Sequence, residues 1–196
     1  MDSTVFALIL AAGSGTRFGG DKQLATFRGE TLILRAINSA QAAFAEKTLL
    51  ILGTEWHACL AAVGVQQGFF SLNDSPERGM SASIRIGIRA LSDKADAVVI
   101  ALCDQPLVSA GHLAQLVEAW DGSPTGIVCS AAERYLGPPA LFGADHFQAL
   151  TELEGDQGAR ALIAANTNRV VRVRCEAAAA DIDTIEDLER LTGSDS

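Results

Sequence analysis

Basic charge is scarce in this chain. Fifteen lysines and arginines face 24 aspartates and glutamates in 196 residues, a formal charge of −9. A nucleic-acid or anionic-membrane binder carries the opposite electrostatic footprint, so both partner classes are excluded. Long apolar runs are also missing, with nothing near the roughly 18–20 residues of a membrane span. The apolar stretch in MDSTVFALILAAG has no basic residue before it. It lacks the charged lead of a secretory signal and reads as a buried strand of a cytoplasmic protein. Cysteine is limited to Cys59, Cys103, Cys129 and Cys175, with no CxxC pair. That argues against a zinc site, a redox dithiol or a disulfide framework; three of the four stand in apolar or strand-like surroundings and read as small buried hydrophobes. His57, His112 and His146 are the only histidines, none has a Ser or Cys partner by spacing, and no GxSxG elbow occurs. Ser-His-Asp hydrolysis therefore has little support.

What is present is a globular composition, 48% hydrophobic and 20% charged. There is no internal repeat and no linker rich in Pro, Gly or Ser, so residues 1–196 read as one domain. Apolar runs at 4–10, 48–52, 68–72, 97–102, 126–130 and 170–175 read as strands. Between them lie helical spacings. Residues 32–44 carry Ile33, Ile37, Ala40 and Phe44. A helix capped by Ser81 carries Ile84, Ile88 and Leu91, and one capped by Ser109 carries Leu113, Leu116, Val117 and Trp120. Phe147, Leu150 and Leu153 mark a further helix, 159–165 another, and Ile185, Leu188 and Leu191 a last one. Thr184 and Asp187 resemble a capping box before that last helix. Alternating strands and helices predict an α/β fold with a mostly parallel sheet covered on both faces. Ligands of such sheets sit at the carboxyl ends of strands.

Chemistry-bearing residues lie where strands are expected to stop. The segment LAAGSGTRFGGDK follows the first strand directly. Its glycines free backbone N–H groups for an anion, and Arg17 and Lys22 add fixed positive charge. The segment is neither a Walker A loop nor a GxGxxG fingerprint. Glycine density alone fits a plain turn; the paired cations favour a phosphate cradle. Asp104 stands just past the most hydrophobic strand, where a carboxylate serves as a magnesium ligand or as a turn cap. Asp181 and Asp183 share a face if their stretch is extended, so both bear on a metal site, or Asp183 caps the last helix. The segments ERGMSAS (77–83) and GDQGAR (155–160) each open a helix; anion binding and plain capping both fit.

These motifs together resemble the MobA-like NTP transferases, most closely the molybdenum cofactor cytidylyltransferases. LAAGSGTRFGGDKQL is similar to their LAAGxSxRMGxxKxL signature, and LNDSPERGMSASIRIGI, ALCDQPLV, LGPPALF, GDQGARAL and DIDTIEDL follow in the family's order. Phe18 replaces the usual methionine, Ile185 the usual proline, and Pro138 stands where those enzymes often carry histidine. The resemblance implies a three-layer α/β/α Rossmann-like nucleotidyltransferase fold. It implies transfer of CMP from CTP to the phosphate of molybdopterin or its metal-bearing form, with Mg2+ as cofactor. Ala12 in LAAG, where guanylyltransferases read LAGG, favours CTP over GTP. Leu10, Ala11, Ala12, Gly13, Ser14 and Gly15 would hold the nucleotide, with Asp74, Gly79 and Ser81 also on that side. Arg17 and Lys22 would bind the triphosphate and, with Asp104, serve catalysis. Asp104 and Asp181 would hold the metal. Ser83, Gly137, Pro138, Gly158 and Arg160 would face the second substrate. A molybdenum hydroxylase is the implied recipient enzyme. The alternatives are a guanylyltransferase, a sugar-phosphate or methylerythritol-phosphate nucleotidyltransferase, or a non-catalytic module that delivers nucleotide or cofactor.

Overall fold

A computed structural model describes residues 3–13, 15–63 and 69–193. Its elements run β1 (Val5–Ala11), β2 (Thr26–Phe27), β3 (Glu30–Thr31), α1 (Leu32–Phe44), β4 (Thr48–Leu52), α2 (Trp56–Val63), β5 (Phe69–Leu72) and α3 (Met80–Leu91). They continue with β6 (Ala97–Leu102), α4 (Ala110–Glu118), β7 (Ile127–Ala132), β8 (Tyr135–Gly143), α5 (Phe147–Thr151), α6 (Ala159–Ala165), β9 (Val170–Arg174) and α7 (Ile185–Gly193). Seven strands form one sheet in the order β5-β4-β1-β6-β8-β7-β9. All neighbours are parallel except those of β8, which runs against both β6 and β7.

β1 shows why the sheet needs cover on both faces. Val5, Ala7, Ile9 and Ala11 join one core with Ile33, Ile37 and Phe44 of α1, Cys59 of α2 and Leu116 of α4. Leu8 and Leu10 join the other core with Ile84, Ile88 and Leu91 of α3, Leu150 of α5 and Ile163 of α6. The period of two along the strand sends alternate side chains to opposite helix layers. The result is a three-layer α/β/α arrangement. Among the described residues no helix is long and apolar enough to cross a membrane.

β8 is absent from the strand expectations because Gly137, Pro138 and Pro139 read as a loop. The prolines are tolerated for a local reason. β6 pairs with β8 only from Ala140 to Gly143, and the β7–β8 register shifts between Cys129 and Ser130, opposite the prolines. No regular ladder bond is demanded of them there. Ser81 is not the cap of α3. Gly79 precedes the helix, and buried Ser81 donates its N–H to the Gly155 carbonyl (3.2 Å). Ser109 does cap α4, accepting from the His112 N–H (3.2 Å). Asp183 is not the cap of the last helix either. Thr184 Oγ1 accepts from the Asp187 N–H (3.2 Å), and Asp187 Oδ2 accepts from the Thr184 N–H (3.1 Å), a reciprocal capping box that leaves Asp183 free for other partners. Ile185 does not join the core face of α7; it is among the exposed large hydrophobics, while Leu191 is buried. Leu191 packs with Phe27, Leu32 and Ile182, and Phe18 of the glycine loop packs against the same cluster.

Candidate active site

β1 and β6 are adjacent parallel strands, so the segments that follow them emerge side by side. After β1 the chain turns at residues 16–20. Gly15 holds this turn. Its φ of +59° is a left-handed conformation, and its carbonyl accepts from the N–H groups of Phe18 and Gly19 (2.9 Å each). A Cβ at Gly15 would lie 2.0 Å from the Gly20 carbonyl oxygen, so no larger residue fits. Buried Gln23 braces the other end of the turn, donating to the carbonyls of Ala11 (3.1 Å) and Gly13. That brace aims Lys22 back across the strand ends.

The Lys22 ammonium donates to Asp104 Oδ2 at 2.7 Å and to Asp183 Oδ1 at 3.0 Å. Asp183 Oδ2 also pairs with Arg17 at 3.2 Å. Asp183 reaches this position because Ile182 donates its N–H to the Asp104 carbonyl (2.9 Å), laying the chain across the end of β6. Burial works against the Lys22 ammonium, but Asp104 and Asp183 more than offset it and hold its pKa above the ordinary lysine value. Burial also pushes the Asp104 carboxyl up; Lys22 opposes part of that rise, and Asp181 and Asp183 add to it. The Lys22 rise comes from its carboxylate neighbours; the Asp104 rise comes first from burial and then from the local surplus of carboxylate.

The surplus bears on a metal. Asp104 Oδ1 is buried and has no hydrogen-bond partner. A buried carboxylate oxygen without a partner is costly and calls for a cation, a proton donor or water. Among the described residues no three His, Cys, Asp or Glu side chains are grouped to hold a metal by themselves. The arrangement suits an ion such as Mg2+ or Mn2+, which takes one or two carboxylates and completes its shell with substrate phosphates and water.

These groups open on a cleft of about 260 Å³. Of the residues expected at the site, Leu10, Ala12, Gly13, Gly15, Arg17, Lys22, Gly79, Ser83 and Asp104 line it. Asp183, also a metal candidate of the sequence, lines it too, as do Met80 and Asp156 of the two helix-opening segments; Gln23 lines it without having been expected. Ala11 is buried just behind the lining, and Asp74 is exposed outside it. Its neighbour Asn73 is the buried residue, donating to Ser83 Oγ at 2.9 Å and accepting from the Ser75 N–H at 3.0 Å. Ser81, Gly137, Pro138, Gly158, Arg160 and Asp181 do not line the cleft. Ser14 lies outside the described residues. Cys103 lines the cleft, but burial raises its thiol far above the ordinary range, so it is no nucleophile there.

A glycine-rich loop thus stands beside a carboxylate at a strand end. A match to the MobA-like NTP transferase domain spans residues 7–171. The chain belongs to this family. Purine catabolism protein PucB of Bacillus subtilis (strain 168) is 30% identical over 197 aligned residues, covering 94% of each chain. Nicotine blue oxidoreductase of Paenarthrobacter nicotinovorans is 28% identical, over 95% of this chain and 96% of its own. Among solved structures, Rv0371c from Mycobacterium tuberculosis H37Rv has a TM-score of 0.88 at 28% identity, covering 99% of this chain and 100% of that one. Rv0371c in complex with manganese has a TM-score of 0.84 at 25% identity, covering 98% and 100%. The fold is accordingly the Rossmann-like one of nucleotidyltransferases.

The MobA-like family places transferase chemistry on this scaffold, and the histidines of the chain are compatible with it. None lines the cleft. His112 does have a serine neighbour, Ser130 Oγ at 2.7 Å, which spacing could not reveal. Ser130 in turn donates to the Pro139 carbonyl (2.7 Å) with both side chains buried, so the pair is a brace for the start of β8.

Proposed function

We propose that this MobA-like transferase moves CMP from CTP to the phosphate of a molybdopterin-type acceptor and releases pyrophosphate. One observation carries the reading: Lys22 and Arg17 converge on Asp183, beside Asp104, at the ends of adjacent strands in a cleft. Two cations gathered on one internal carboxylate are set to receive a more highly charged anion. A triphosphate is such an anion.

In the transfer, an oxygen of the acceptor phosphate attacks the α-phosphorus of the nucleotide. One P–O bond forms while the bond to the β-phosphate breaks, and pyrophosphate leaves with that bond's electrons. A phosphate nucleophile is anionic near neutral pH and needs no strong general base, consistent with a cleft free of histidine. Lys22 and Arg17 take up charge on the departing pyrophosphate. A divalent ion, Mg2+ in this reading, would be held at Asp104 and would neutralise charge on the phosphates when bound. Leu10, Ala12, Gly13 and Gly15 hold the nucleotide by backbone contacts in the cleft that Gly79 and Ser83 also line. Ala12 supports cytidine by its likeness to the LAAG form of the family motif. Gly137, Pro138, Gly158 and Arg160 serve the acceptor, and a cytoplasmic molybdenum hydroxylase is the expected user of the product.

The similarity to nicotine blue oxidoreductase supports a second reading, a redox reaction in the same cleft. One assay separates them. Pyrophosphate release is followed with CTP or GTP, Mg2+ and a molybdopterin acceptor, in wild type and Asp104→Ala. The transfer reading expects CTP-dependent release that Asp104→Ala abolishes. Reduction or oxidation of an added substrate with no pyrophosphate release supports the redox reading.

A further inference from the structure

Beyond the cleft, the start of β8 holds a second polar cluster that shares Asp104's neighbourhood. Gln105 follows Asp104 and is buried. Its Nε2 donates to the carbonyls of Pro138 (3.0 Å) and Ala178 (2.7 Å), and Tyr135 Oη lies 3.0 Å from it. Tyr135 donates its hydroxyl hydrogen to the Pro138 carbonyl. The Tyr135 ring carries the Arg160 guanidinium, whose central carbon is 4.7 Å from the ring centroid. Gly137 makes this stack possible. A Cβ there would lie 2.8 Å from Arg160 Nε and 3.0 Å from the Tyr135 hydroxyl.

The stacked cation is not a surface ornament. The charges of Asp181 and Asp104 both act on Arg160, so it belongs to the same electrostatic field as Lys22. The loop before it lines the cleft at Asp156, and Gly158 abuts the sulfur of Met80, another lining residue. Arg160 itself is exposed and therefore open to a ligand, while burial keeps the Tyr135 phenol protonated as a donor. A flexible arginine loses entropy when it binds an anion; one laid on an aromatic face has already lost it.

We infer that Tyr135 is a positioning residue for the acceptor end of the site, its ring presenting Arg160 to the phosphomonoester of the second substrate, with Gln105 fixing the ring's hydroxyl edge. This rests on the nucleotidyl-transfer reading and adds to it a residue that touches no reacting atom.

The test is steady-state kinetics of Tyr135→Leu and Tyr135→Phe with CTP and acceptor varied separately. Tyr135→Leu raises the acceptor KM by about tenfold, the size expected when a stacked guanidinium loses its ring. The KM for CTP and kcat stay within about twofold of wild type, and Tyr135→Phe, which keeps the ring, restores the acceptor KM. A Tyr135→Leu enzyme that loses kcat and CTP affinity alike, or a Tyr135→Phe enzyme as impaired as Tyr135→Leu, overturns the inference. Should Tyr135→Leu not fold, Arg160→Lys keeps the charge but not the planar stack; an unchanged acceptor KM in that variant overturns it equally. A readout independent of turnover separates this inference from the function it rests on. Inorganic phosphate is titrated into the protein saturated with Mg2+ and a non-hydrolysable CTP analogue. Weaker binding in Tyr135→Leu than in Tyr135→Phe sustains the inference even if no transfer is ever detected, and equal binding overturns it.

Discussion

Replacing Lys22 with methionine keeps the length of the side chain and removes the charge that Asp104 and Asp183 share. The Lys22 side chain is 12% exposed and that of Asp104 is 19% exposed. Deleting one partner of a fully buried ion pair costs about 3–5 kcal/mol. Residual solvent at Asp104, and its ability to take a proton, reduce the expected cost to about 2–3 kcal/mol. For a chain of this size each kcal/mol moves Tm by about 2–4 °C, so the expected drop is about 4–12 °C. The pH dependence has a definite sign. Without Lys22 the chief opposition to the push of burial on the Asp104 carboxyl is gone, and its folded-state pKa rises further. The stability linked to a raised group is complete below its unfolded pKa and is lost as pH rises through the folded one. The Tm deficit of Lys22→Met is therefore small near the ordinary carboxylate range, about pH 4, and grows toward neutrality. The double variant Lys22→Met with Asp104→Asn removes both charges and recovers most of the lost Tm, yet stays inactive. Calorimetry across pH measures all three proteins. A Lys22→Met protein as stable as wild type at neutral pH, or a double variant less stable than the single one, would refute the reasoning.

Two further outcomes follow from contacts outside the pair. Arg190, with help from the N–H groups of Asp183 and Thr184, holds the Asp187 carboxyl down at about 2. The stability linked to a depressed carboxyl is present above its unfolded pKa and lost as pH falls through the folded one. Asp187→Asn therefore lowers Tm at neutral pH, and thermal scans at falling pH show the gap to wild type closing as pH approaches about 2. Ser130→Ala leaves the Pro139 carbonyl and His112 Nε2 without their buried partner, a cost of about 1–3 kcal/mol that a urea titration reads as a lower midpoint with an unchanged slope.

Much of this molecule was legible in the chain itself, and the reason is local. Ile33, Ile37, Ala40 and Phe44 recur at helical spacing, and α1 spans Leu32–Phe44 as that spacing predicts. The runs at 48–52 and 97–102 are buried on both faces, which needs continuous apolar sequence and nothing else. β8 was hidden because its prolines are admitted by a register shift in the neighbouring strand, a property of the pair of strands. The hairpin of β2 and β3 was hidden because each strand has two residues, too few to show alternation. At the site, Asp104 was visible because it stands just past a strand, and Arg17 and Lys22 because they are paired cations in the glycine-rich segment after one. Asp183 was ambiguous, since the same aspartate fits a cap and a ligand; only the Thr184–Asp187 capping box decides that it is free to pair with Lys22. Gln23 and Asn73 each act through two side-chain hydrogen bonds, and a polar residue in a loop carries no sign of that in sequence. The Tyr135–Arg160 stack joins residues 25 positions apart across two elements and depends on a glycine for room.

The central claim is that Lys22 and Asp104, at the ends of β1 and β6, carry out nucleotidyl transfer. Pyrophosphate release tests it most directly. Wild-type protein given CTP, Mg2+ and a molybdopterin acceptor should release one pyrophosphate for each nucleotide transferred. Asp104→Ala, with its fold verified by calorimetry, should release none above background. Release by Asp104→Ala at the wild-type rate would contradict the account.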